Sequence, residues 1–141
     1  MIRTLTLALS LLVLSASAAA AQWREAIRTA IDRDTWRWQQ DGYAETDVWT
    51  GTLYDGDDTD LYVTLAGGVS YRFVGKCDEN CSDLDFGLYY ANGNSISTDL
   101  ESDATPVVVV TPRWTGRFRL RVTMASCDAD YCGYGVGMFV R

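Results

Sequence analysis

Two short acidic loops carry all four cysteines of this chain: Lys76-Cys77-Asp78-Glu79-Asn80-Cys81-Ser82-Asp83 and Ser126-Cys127-Asp128-Ala129-Asp130-Tyr131-Cys132-Gly133. Four thiolates could hold zinc. The spacings, however, are C-x3-C and C-x4-C rather than C-x2-C, and the chain has no histidine. Thiol redox catalysis favours C-x-x-C, which is absent. Disulfides are the chemistry that an exported chain favours. The expected pairs are Cys77–Cys81 and Cys127–Cys132, each closing one turn between strands; the rival pairing joins the two loops across the sheet. A short closure removes little freedom from the unfolded chain, about 2 kcal/mol in the chain-entropy model. Such staples fix loop shape more than they hold the fold.

The absence of histidine also removes Ser-His-Asp and Cys-His catalysis. No G-x-S-x-G elbow, phosphate loop or dinucleotide fingerprint occurs. Carboxylates are the remaining reactive groups. Asp83 and Asp85 alternate with Leu84, so a strand would point both the same way; Asp99, Glu101 and Asp103 alternate likewise. A carboxylate pair could hydrolyse a glycoside. Hard cations want six to eight oxygens from loop carboxylates and carbonyls. The calcium candidates are Asp83, Asp85, Asp99 and Asp103, with Asp78 beside them and Asp55, Asp57, Asp58 and Asp60 as a second cluster. Neither cluster has the spacing of a helix–loop–helix calcium site. The plain alternative is solvated turn residues that also guard strand edges.

A third group is cationic and aromatic. Arg117, Arg119 and Arg121 lie on one face of a strand-like segment, where they could dock an acidic ligand or peptide. They could equally face carboxylates on neighbouring strands. Tyr62, Tyr89 and Trp114 could stack on sugar rings, or simply pack. The candidate binding set is therefore Arg117, Arg119, Arg121 and Trp114.

The elements that position these groups follow from periodicity. Residues 1–21 carry one early charge, Arg3, then the apolar run Leu5 to Val13, then small residues ending at Ala21. That is the pattern of a cleaved secretory signal, cut after Ala21 or after Ala18. The run is short for a membrane span. In residues 22–42, Trp23, Ala26, Ile27, Ala30 and Ile31 recur at helical spacing, and Gly42 is a natural stop. This helix is expected to pack across an end of the following domain.

From Val48 the period is two. Leu61, Val63 and Leu65 alternate with Tyr62 and Thr64; Phe118, Leu120, Val122 and Met124 alternate with Arg117, Arg119, Arg121 and Thr123. Val107 to Val110 is a continuous apolar run that suits a buried strand. Asp55-Gly56, Gly67-Gly68, Asn92-Gly93-Asn94 and Thr115-Gly116 supply turns. About eight short strands over residues 43–141 predict an all-β sandwich or barrel.

With 12 basic and 19 acidic residues the net charge is −7, one unit more negative if Arg3 leaves with the signal. Such a surface repels nucleic acid and anionic membranes.

The order of motifs resembles the bacterial pre-peptidase C-terminal (PPC) domain. The resemblance is carried by Gly51-Thr52-Leu53, Asp60-Leu61-Tyr62-Val63-Thr64-Leu65, Gly68 and Tyr71, then Asp83-Leu84-Asp85-Phe86 with Leu88-Tyr89 and Asn92-Gly93. It continues with Pro106 and Val107–Val110, and with Thr115-Gly116-Arg117-Phe118-Arg119-Leu120-Arg121-Val122. It covers roughly Val48 to Val140. It implies a jelly-roll-like antiparallel sandwich without catalytic activity, of a kind in which some members bind calcium or extracellular polymers such as collagen. The chain departs from that pattern in its cysteine loops and its N-terminal helix, and it is expected to stand without an attached peptidase.

Together these features predict a periplasmic or secreted, non-catalytic module that binds a protein, an extracellular polymer or the envelope surface. The alternatives are a calcium-stabilised structural protein and, more remotely, a carboxylate-based glycan hydrolase.

Overall fold

The computed structural model describes residues 2–141, with side chains described from Ala18 onward. The side chains of the charged and apolar parts of the expected export signal lie outside the described residues.

A helix, α1 (Ile2–Gln40), precedes eight strands: β1 (Ala44–Tyr54), β2 (Asp58–Leu65), β3 (Tyr71–Cys77), β4 (Cys81–Tyr90), β5 (Ser95–Asp99), β6 (Val107–Val110), β7 (Gly116–Cys127) and β8 (Tyr131–Val140). They form two antiparallel four-stranded sheets, ordered β1-β8-β3-β6 and β2-β7-β4-β5. Consecutive strands mostly alternate between sheets, which is the double Greek-key pattern of a jelly roll. The all-β sandwich read from the periodicity is thus the observed architecture.

The core forms because each inner face is apolar at every second residue. From β7 come Phe118, Leu120, Val122 and Met124, from β4 Leu84, Phe86 and Leu88, and from β3 Tyr71 and Phe73, all buried between the sheets. The intervening β7 residues Arg117, Arg119 and Arg121 therefore point to the outer face of the second sheet.

The helix departs from expectation in placement. It runs unbroken through the expected cleavage point after Ala21. Its C-terminus falls where Gly42 predicted: Gly42 takes φ 83°, donating to Gln39 O at 3.0 Å while Tyr43 donates to Trp38 O at 3.0 Å. That is a Schellman closure, which needs a left-handed residue. The helix lies across the outer face of the first sheet, not across an end of the sandwich. Ile27 and Ile31 are buried there with Tyr43, Val74 and Phe139 in a second core, while Ala26, expected on the packed side, is exposed. Lys76 Nζ to Asp34 at 2.6 Å and Arg28 to Glu45 at 2.6 Å fasten the helix at its flanks. Among the described residues no helix is long and apolar enough to cross a membrane.

The valine run also differs. β6 pairs only with β3 and is an edge strand. Val108 and Val110 are buried, while Val109 is 43% exposed. A continuous apolar run predicts burial on both faces, but an edge strand of a sandwich has one wet face.

Candidate functional site

The cysteines form Cys77–Cys81 and Cys127–Cys132, each with Cα atoms 5.9 Å apart. Each staple closes one strand connection, β3 to β4 and β7 to β8. The sheet register sets Cys81 opposite Cys127, so both loops emerge at one end of the sandwich. They are joined there by hydrogen bonds. Asp128 N–H donates to Asn80 O at 2.8 Å, and Asp78 N–H to Gly133 O at 3.0 Å. Gly133 N–H in turn donates to the Asp78 carboxylate at 2.5 Å. Asp78 also takes Asn80 N–H at 3.1 Å, an Asx-turn that shapes its own loop. Asp55, in the β1–β2 turn, accepts Cys127 N–H at 2.8 Å.

The result is one double loop that leaves Glu79, Asp128 and Asp130 exposed. Between it and the helix lies a hollow of about 710 Å³, walled by Trp23 and Ala26 on one side and by Asp78, Glu79 and Asp130 on the other. Arg24 already places its guanidinium 4.9 Å from the Trp23 ring centroid, so that ring accepts a cation.

The arginine stripe behaves differently at each position. Arg121 forms a two-pronged pair with Asp60 of β2, at 2.9 and 3.1 Å. That bond is the main reason the Asp60 carboxyl is held below the usual range, against the opposing pull of burial. Asp60 and then Asp58 hold the Arg121 guanidinium more firmly protonated. Arg119 reaches Asp60 at 3.5 Å and stacks 4.7 Å above Tyr89. Arg117 stacks 4.5 Å above Tyr62, and no carboxylate stands within ion-pair distance of it among the described residues. Trp114 lies in the loop before β7, 64% exposed, at the opposite end from the disulfides.

The expected calcium residues are only partly brought together. Asp83 and Asp85 sit on β4, each with one carboxylate oxygen buried without a hydrogen-bond partner. Asp99, across the β4–β5 ladder, is near enough to act on Asp85 electrostatically. Burial first, then the charges of Asp83 and Asp99, push the Asp85 carboxyl up. Asp99 is occupied with Val107 N–H at 2.9 Å, and Asp103 with Thr105 N–H at 2.7 Å. Among the described residues no three carboxylates are arranged as a metal would need.

The residues that sequence reasoning missed are glycines. Gly133, Gly135 and Gly137 alternate along β8 and face the helix, where Trp23, Ile27 and Ile31 fill the space their side chains would need. A period-two glycine run opposite a period-four apolar stripe was the available signal.

No family model matches the chain, and no curated protein matches it. Among solved structures, the chain is similar to the periplasmic inhibitor PliG of g-type lysozyme from Aeromonas hydrophila. The TM-score is 0.52 at 9% identity, over 70% of this chain and 88% of that one. Two weaker likenesses are a de novo designed double-stranded β-helix (TM-score 0.40, 13% identity, 66% of this chain and 99% of that one) and the capsid of Helicobacter pylori bacteriophage KHP30 (0.38, 11%, 70% and 91%). At such identity the PliG likeness establishes the sandwich fold alone.

Proposed function

We propose that the chain is an exported, non-catalytic binding module whose partner is a protein with a basic surface, seated on the stapled acidic loops. The observation that carries this reading is the hydrogen-bonded union of the two disulfide loops. It presents Glu79, Asp128 and Asp130 from a backbone fixed by two covalent closures. A partner then meets a preformed anionic surface and pays little for loop ordering. The acidic balance of the chain speeds the approach of a cationic protein. The hollow beside Trp23 offers a basic side chain an aromatic wall and three carboxylates. The similar fold of PliG, an inhibitor of a lysozyme, supports a protein as the partner class. The PPC-like order of motifs supports a non-catalytic role in the periplasm or outside the cell.

The test is titration against g-type lysozyme, together with capture of basic proteins from envelope extract. Binding should weaken with salt and be lost in Glu79→Lys/Asp130→Lys. Capture of no basic protein, or full capture by the charge-reversed variant, overturns the reading.

One observation favours a second, compatible reading: a cation at the β4 carboxylates. Asp83 and Asp85 each bury an oxygen that no protein group satisfies, and an unpaired buried carboxylate is costly. Calcium should then raise the melting temperature of the parent and not of Asp85→Asn; no shift in the parent ends this reading. Neither carboxylate lines any of the hollows described, which weighs against use of the pair on a glycan.

A further inference from the structure

The end of the sandwich opposite the stapled loops has a different chemistry. β4 and β7 run antiparallel from the Cys81–Cys127 pair to the Tyr90–Phe118 pair. At the rise of a strand, the two ends are separated by about 30 Å. At the far end three aromatic rings stand in solvent: Trp114 at 64%, Tyr62 at 56% and Tyr90 at 39% exposure. They border two adjoining hollows of about 350 and 560 Å³, which share Tyr90, Asn92 and Arg117 as walls.

Tyr62 leaves the outer face of the sheet opposite Arg119 and Tyr90 the inner rim opposite Phe118, and both border the smaller hollow; exposed aromatics gathered around a hollow mark a contact surface. Here they surround a cation that the fold leaves free. Arg121 is committed to Asp60, and Arg119 is shared between Asp60 and Tyr89. Arg117 lies over the Tyr62 ring without a carboxylate within ion-pair distance among the described residues. The contact with the ring holds its guanidinium in place and leaves its N–H groups open to an incoming carboxylate. Asn92 spends its side-chain oxygen on Asn94 N–H at 2.9 Å, which leaves its amide N–H groups to donate outward. Gly93, with φ 89°, makes the tight turn that holds Asn92 at this rim.

Flat rings, an open guanidinium fork and a lateral amide donor together fit one class of ligand. The apolar C–H face of a sugar ring lies on an aromatic ring, its hydroxyls take the amide, and a carboxylate on the sugar takes the arginine. We infer that the hollows formed by Tyr62, Tyr90, Asn92, Trp114 and Arg117 are a binding site for a carboxylate-bearing glycan chain, separate from the acidic protein-binding end. Two hollows sharing one arginine suit adjacent sugar units of a chain. An acidic peptide could meet the arginine but would leave the ring faces unused.

The test is calorimetric titration of the full protein with hexagalacturonate, with neutral maltohexaose and hexaglutamate as comparison ligands. Hexagalacturonate should bind, with an affinity that falls as salt rises. Maltohexaose and hexaglutamate should each bind at least roughly tenfold more weakly. Trp114→Ala and Arg117→Ala, both exposed and outside the core, should each reduce hexagalacturonate affinity by roughly tenfold or more. Arg117→Ala should also narrow the preference over maltohexaose. Glu79→Lys/Asp130→Lys should leave glycan affinity unchanged, which separates this site from the protein-binding reading. Absence of hexagalacturonate binding, equal binding of hexaglutamate, or undiminished binding by both single variants overturns the inference.

Discussion

The Cγ2 methyl of Ile27 occupies the space in which a side chain at Gly135 would begin. The same relation holds one helical turn to either side, between Trp23 and Gly133 and between Ile31 and Gly137. The helix therefore approaches the sheet to backbone distance, and β8 is buried on both faces although it carries little apolar bulk there. Gly135→Ala should push the helix away at the centre of this contact. Overpacking of a close contact costs about 1–3 kcal/mol. The melting temperature should fall, and proteolysis within residues 22–40 should accelerate while the sandwich stays intact. An unchanged melt and cleavage pattern would mean that the helix does not dock this closely.

That glycine relation marks the limit of what was legible in the sequence. The period-two runs were enough for the sandwich because each strand of the second sheet has one wet and one dry face: Arg119 is outside because Phe118 and Leu120 are inside. The cysteine pairs were legible because their spacing suits a single turn. The helix was visible in Ile27 and Ile31, yet its resting place was not. Docking depends on what is missing from β8, and hydrophobic periodicity does not register a missing side chain. The edge position of Val107–Val110 was hidden for a related reason: strand order is set by long-range pairing that a local run of valines does not encode. The meeting of Trp114 with Tyr62 and Arg117 at one end depends on the same β2–β7 pairing.

Two aspartates on the second sheet should move stability with pH in opposite directions. Asp60 has its carboxyl held down, chiefly by the hydrogen bonds from Arg121. Its contribution is therefore present above the ordinary carboxylate range and is lost as pH falls through its depressed value. Asp60→Asn should lower stability at pH 7 by about 1 kcal/mol or less, because the pair is partly solvated. The deficit relative to the parent should shrink in acid. Asp85 has its carboxyl pushed up, chiefly by burial and then by Asp83 and Asp99. Its fold contribution is greatest below the ordinary range and is lost as pH rises through the raised value. In the presence of chelator, Asp85→Asn should raise the melting temperature at pH 7, and the gain should vanish in acid. Melting curves of the three proteins across pH 3–8 check both signs. Parallel curves for either variant and the parent would remove the assigned cause.

The two disulfides should prove coupled although neither spans the other's loop. Each closes only four or five positions of sequence, so removing one should cost about 2 kcal/mol by loop entropy. Cys81, Cys127 and Cys132 belong to the same buried cluster as Phe73, Phe86 and Leu120, but the larger apolar side chains supply most of its bulk. Cys77→Ala/Cys81→Ala should therefore remain folded. The backbone bond from Asp128 to Asn80, and the double exchange between Asp78 and Gly133, tie the shape of each loop to the other. Loss of the first staple should thus deprotect the Asp128 amide, which belongs to the second loop. The combined loss of both staples should differ from the sum of the two, as expected for groups in one network. Hydrogen exchange of the Asp128 and Gly133 amides in the two double variants reads this directly. Full protection of Asp128 without the Cys77–Cys81 bond would mean that the loops are two independent turns, and the acidic end would lose its standing as one rigid surface.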